Sequence, residues 1–92
     1  MFIGDLVKLK NDYVNKIHEE FVSNAKKEGW IFLITNIDDE DIDYLIKPIY
    51  LEEGNMTCLG GSLLVLSDDI EKVTLSREEL FSVLRKQQLP EV

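Results

Sequence analysis

Ninety-two residues, with a mass of 10.6 kDa, suffice for one small domain spanning 1–92, with a core that is adequate but not deep. Eighteen acidic against ten basic residues leave a net charge of −8, which argues against binding phosphate backbones; 45% apolar and 30% charged residues mark a folded domain rather than a disordered one. The lone cysteine, Cys58, excludes an internal disulfide, the lone histidine, His18, excludes a His-rich zinc site, and no apolar run is long enough to span a bilayer.

The opening MFIGDLVKLK carries an acid at Asp5 and no basic leader, so it does not read as a secretory signal, and a cytoplasmic location is expected. Residues 2–9 read as a first strand around a Gly4-Asp5 turn, with Val7 and Leu9 alternating against Lys8 and Lys10. Asn11 or Asp12 is placed to cap a helix over 12–28, in which Val14, Ile17, Phe21 and Ala25 recur at helical spacing. Lys26 and Lys27 suit the negative end of its dipole, and Gly29 is placed to end it.

Residues 30–37 (WIFLITNI) form a nearly continuous β-branched and aromatic run, the pattern of a central strand. A third strand is expected over 44–51 (YLIKPIYL), at a sheet edge or with a bulge, because Pro48 has no N–H to give to a ladder. Residues 52–55 read as a turn, Gly60-Gly61-Ser62 as a flexible point, and 63–66 and 72–75 as short strands around Ser67-Asp68-Asp69, a tight hairpin connection. Ser76 followed by Glu79 is a capping box for a last helix over 77–88. Leu75 and Leu80 are spaced as a hydrophobic staple, and Pro90 lies beyond the helix. The sum is an α+β domain: a strongly bent five-stranded antiparallel sheet or barrel, with a helix inserted after strand 1 and another at the C-terminus.

The stretch Gly4-Asp5-Leu6-Val7-Lys8-Leu9-Lys10 resembles the G-D-x-V opening strand of small SH3-like barrels, among them KOW-type domains and many short phage and bacterial proteins. The long apolar second strand, the acidic turn, the third strand and the closing Ile70-Glu71-Lys72-Val73-Thr74-Leu75-Ser76 continue the likeness. The resemblance implies a barrel fold. Two features depart from it: a helix stands where such barrels have a short loop, and KOW domains that bind nucleic acid are usually basic.

Acidity is regional here. Residues 1–30 are neutral, 31–79 hold twelve acids and three bases, and 80–92 carry a net +1. The peak is Asp38-Asp39-Glu40-Asp41-Ile42-Asp43. As a calcium loop it fails, since Asp39, Asp41 and Asp43 fit the first positions but Tyr44 and Tyr50 fall where a glycine and a glutamate belong. No metal and no cofactor is expected. Cys58 has only His18 as a prospective base, forty positions away, and the glycines at 60 and 61 are followed by no P-loop lysine, so the chain does not read as an enzyme.

A non-enzymatic protein-binding module is therefore expected, in concrete form a phage-type or immunity-type inhibitor or regulator of a basic, nucleic-acid-processing partner. Its partner-facing residues are expected to be Asp38, Asp39, Glu40, Asp41, Asp43, Glu52, Glu53, Asp68 and Asp69, with Tyr44 and Tyr50 as aromatic contacts. Tyr13 is a further aromatic that such a surface could expose. The alternative is nucleic-acid binding through Lys8, Lys10, Lys26, Lys27, Arg85 and Lys86, which requires those six to meet on one face.

Overall fold

Alternation along residues 30–34 decides the architecture. In the computed structural model, which describes residues 2–38, 43–58 and 61–86, Trp30, Phe32 and Ile34 point into one apolar cluster. Ile31 belongs to a second cluster, with Leu33 packed against it. The run is apolar throughout because both faces of the strand are covered.

The elements in chain order are β1 (Leu6–Leu9), α1 (Glu19–Glu28), β2 (Phe32–Ile37), β3 (Asp43–Glu52), β4 (Asn55–Cys58), β5 (Leu63–Leu66), a 3-10 turn (Ser67–Asp69), β6 (Ile70–Lys72) and α2 (Arg77–Lys86). Among the described residues the strands make one six-stranded antiparallel sheet in the order β4-β3-β2-β1-β6, with β5 also alongside β3. This small α+β arrangement is compatible with a barrel-like fold. Val22 and Ala25 of α1 fill the first cluster with Val7, Phe32, Ile46 and Val65. Leu80 and Leu84 of α2 close the second over Ile31 and Ile49. The helices thus cover opposite faces of the sheet.

Several sequence expectations change. β1 begins at Leu6 because residues 2–5 form a turn: the Phe2 N–H donates to Asp5 Oδ2 at 2.8 Å, and the Asp5 N–H to the Phe2 carbonyl at 3.0 Å. The first helix starts at Glu19 rather than at residue 12. Asn15 Oδ1 accepts the amides of Ile17 and His18 at 3.0 and 3.1 Å, a local turn that competes with the helix, and Val14 and Ile17 are left exposed. Its end is as expected, with Gly29 at φ 67° and the Gly29 and Trp30 amides both returning to the Ala25 carbonyl.

Among the described residues the sheet has six strands rather than five, since Asn55–Cys58 pairs with β3 through a two-residue turn. Glu53 at φ 51° and Gly54 at φ 82° supply the two left-handed residues that a tight hairpin of this kind needs. β3 is interior rather than an edge, and it tolerates Pro48 for a geometric reason. The Ile49 N–H turns toward β2, donating to the Ile31 carbonyl at 3.2 Å. Residue 48, one position away, therefore directs its nitrogen to the opposite side. There the described ladder stops at Ile46 with β5 and resumes at Ile49 with β4. The bulge lies instead in β2, between Ile34 and Asn36.

Residues 67–69 do not join a hairpin. They carry the chain from β5, beside β3, to β6, which pairs with β1 on the far side of the sheet. The last strand is accordingly Ile70–Lys72, not 72–75; Ile70 is the residue that needs burial, at 1% exposed. In α2 the Glu79 amide donates to Ser76 Oγ at 3.2 Å, as the capping signal implies, and the expected residues 87 and 88 lie outside the described ones.

Candidate functional site

The acidic residues do not share one face. Asp43 opens β3 opposite Leu66, and Asp68 and Asp69 come two and three positions after Leu66, in the 3-10 turn. These three gather at one end of the sheet. Asp38 adjoins them, its N–H donating to the Asp43 carbonyl at 3.1 Å, whereas Asp39, Glu40 and Asp41 lie outside the described residues. Glu52 and Glu53 sit at the hairpin tip, at the other end of the ten-residue β3. That separation is on the order of 30 Å along the strand, several Debye lengths at physiological salt. The two groups act independently.

Within the first group the carboxylates differ in use. Asp68 is exposed, whereas Asp69 is half-buried and its Oδ2 accepts the Leu66 amide at 3.0 Å while its carbonyl accepts the Lys10 amide at 2.9 Å. Asp69 thereby fixes the turn that launches β6.

Of the aromatic contacts expected from sequence, Tyr44 is removed from any partner-facing surface: its inward-facing position on β3, opposite Val65, buries it in the first cluster at 5% exposed. Tyr50 is half-buried opposite Thr57, and Tyr13 is buried at 8%.

The basic residues are also divided. Lys8, Lys10 and Lys26 line a cleft of about 250 Å³ together with Asn11, Gly29 and Glu71. Lys8 pairs there with Glu71 at 3.4 Å, and Lys26 Nζ donates to the carbonyls of Tyr13 at 2.7 Å and Asn11 at 3.2 Å. Arg85 and Lys86 end α2, which covers the opposite face from the helix bearing Lys26 and Lys27. The six therefore do not form one surface.

Cys58, half-buried against the α2 cluster, and His18, exposed at the start of α1, belong to opposite layers. They make no nucleophile–base pair. Among the described residues no group of three His, Cys, Asp or Glu side chains is placed to hold a metal ion, and no helix is long and apolar enough to cross a membrane.

Sequence reasoning missed one surface. Leu64 and Leu66 stand 58% and 48% exposed on β5 while Leu63 and Val65 are buried. Four consecutive apolar residues conceal that alternation, and no residue in LLVL signals which pair faces outward. Compared with known proteins, the chain matches no family model, no curated protein and no solved structure.

Proposed function

We propose that this chain is a small, acidic, non-enzymatic module that binds a basic partner protein. The observation that carries the reading is the meeting of Asp43, Asp68 and Asp69 at one end of the sheet. The stretch of chain leading to Asp43 adds four further carboxylates, Asp38, Asp39, Glu40 and Asp41. Such a concentration of like charge works against the folded state and is useful where it steers association with an opposite charge. Nucleic-acid-processing enzymes carry basic surfaces of this kind, so a phage-type or immunity-type inhibitor acting in the cytoplasm is the concrete form of the proposal. The SH3-like reading of the fold draws support from the last described strand lying beside the first.

One observation favours a second reading, nucleic-acid binding: three of the expected lysines share the cleft at Lys8, Lys10 and Lys26. Glu71 in the same cleft and the engagement of Lys26 with two carbonyls weaken it. Titration with a lysine-rich peptide and with a short DNA duplex separates the readings. Peptide binding should fade near 1 M salt, where the Debye length is about 3 Å. Its association rate should fall in the variant combining Asp38→Asn, Asp39→Asn, Asp41→Asn and Asp43→Asn. Duplex binding without peptide binding overturns the module.

A further inference from the structure

We propose that the outer edge of β5, over residues 62–66, is a strand-addition site for an extended, lysine- or arginine-bearing segment of the partner protein. This rests on the acidic-module reading and gives it a location.

The backbone supplies the first argument. The Leu66 N–H donates to Asp69 Oδ2 rather than into a ladder, so it points away from β3. Alternation along an antiparallel strand then directs the Leu64 N–H and carbonyl outward as well, leaving Leu63 and Val65 to pair with Ile46 and Tyr44. The orientation deduced for β3 from the Ile49 amide agrees, since it turns residues 44 and 46 toward β5. Among the described residues, β5 pairs with β3 alone. An unpaired row of this kind accepts a further strand through main-chain hydrogen bonds.

The second argument is what the edge displays. The opposite edge, β6, is three residues long and guarded by charge, with Glu71 paired to Lys8 at 3.4 Å and Lys72 to Asp5 at 3.8 Å. Charged side chains and short length are the usual protections of an edge. β5, four residues long, carries no such charge: Leu64 and Leu66 point outward beside the half-buried Leu45. Leucines stand where a guarded edge carries lysines.

Charge identifies the occupant. Asp43 faces outward opposite Leu66, Asp68 follows, and residues 61–71 contain no lysine or arginine. A second copy of the chain would bring the same acids and another net charge of −8 to the edge. A segment with apolar residues beside Leu64 and Leu66 and a basic residue beyond them is complementary. Asp69, already bonded to the Leu66 amide, sets where the pairing stops.

The test uses the intact, isotope-labelled protein and a synthetic decapeptide alternating valine and lysine, with a valine–glutamate peptide as control. The lysine peptide should bind, the glutamate peptide should not, and amide exchange at Leu64 should slow on binding. Leu64→Pro removes an N–H that the ladder does not use, and should weaken binding about tenfold. The double variant Leu64→Lys, Leu66→Lys, which leaves every backbone group in place, should abolish it.

If both variants bind like wild type while Asp43→Asn with Asp68→Asn binds more weakly, the edge is overturned and the acidic module stands. Failure of wild type to bind the lysine peptide overturns both. Equal binding of the glutamate peptide overturns the basic occupant. A wild-type dimer dissolved by Leu64→Pro overturns it also, in favour of a second copy.

Discussion

Each of the two helices has ten described residues and buries two of them against the sheet, yet their beginnings are built differently. α2 starts where a side chain tells it to: Ser76 Oγ takes the Glu79 amide, and Leu75 packs into the same cluster as Leu80. α1 has His18 at its N-cap position, where the side chain makes no capping bond, because the preceding turn is already closed by Asn15. A start fixed by its own cap is written in a few adjacent residues. A start fixed by a competing turn is written in a side chain three residues upstream that could equally have capped.

That contrast can be broken by substitution, beginning with what each helix covers. Phe32→Ala empties the α1 side, where the ring is fully buried and stacked edge-on against Phe21 at 6.3 Å between centroids; it should cost about 3–5 kcal/mol in urea denaturation. Leu84→Ala on the α2 side should cost roughly 2–5 kcal/mol, because Leu84 is 2% exposed. Phe81 is only half-buried, with the Arg77 guanidinium 5.5 Å from its ring centre, so Phe81→Ala should cost less, about 1–2 kcal/mol. A Phe81→Ala loss matching that of Phe32→Ala would mean that the α2 face is as deep as the α1 face.

The caps themselves give smaller effects. Ser76→Ala should lower stability by about 1 kcal/mol, whereas His18→Ala should change it by less than about 0.5 kcal/mol. Equal losses would show that His18 supports α1 by a route other than capping. Asn15→Ala sharpens the comparison most finely. It removes the acceptor for the Ile17 and His18 amides and the donor to the Tyr13 hydroxyl at 3.0 Å. Residues 14–18 are then released to join the helix, and the helical signal in far-ultraviolet circular dichroism should rise slightly. An unchanged signal would place the competition elsewhere.

The same logic explains which parts of the fold were legible. The strand at 63–66, the end of α1 at Gly29 and the start of α2 depend on local chemistry, and all three stand where the residues imply. β4 was not legible, because Asn55-Met56-Thr57-Cys58 has no strand pattern of its own; a tight turn and the long β3 hold it in place. β6 was misplaced by two residues, since the decision between Ile70 and Val73 is made by β1, Leu9 standing opposite Ile70. The acids of the candidate site could be named from sequence, but their division could not. It depends on β3 running for ten residues, which puts Asp43 and Glu52 at its opposite ends.

The crossing of the 3-10 turn from β5 to β6 has a consequence for how the chain reaches this state. Leu9 and Ile70 are register partners although roughly sixty positions separate them. The β2–β3 and β3–β4 ladders join neighbours in sequence, so they close short loops and lose little chain entropy before their contacts form. The β1–β6 ladder must wait until nearly the whole chain has been gathered. Its three register pairs are therefore expected to form late, and refolding should be slower than for a helical protein of this length.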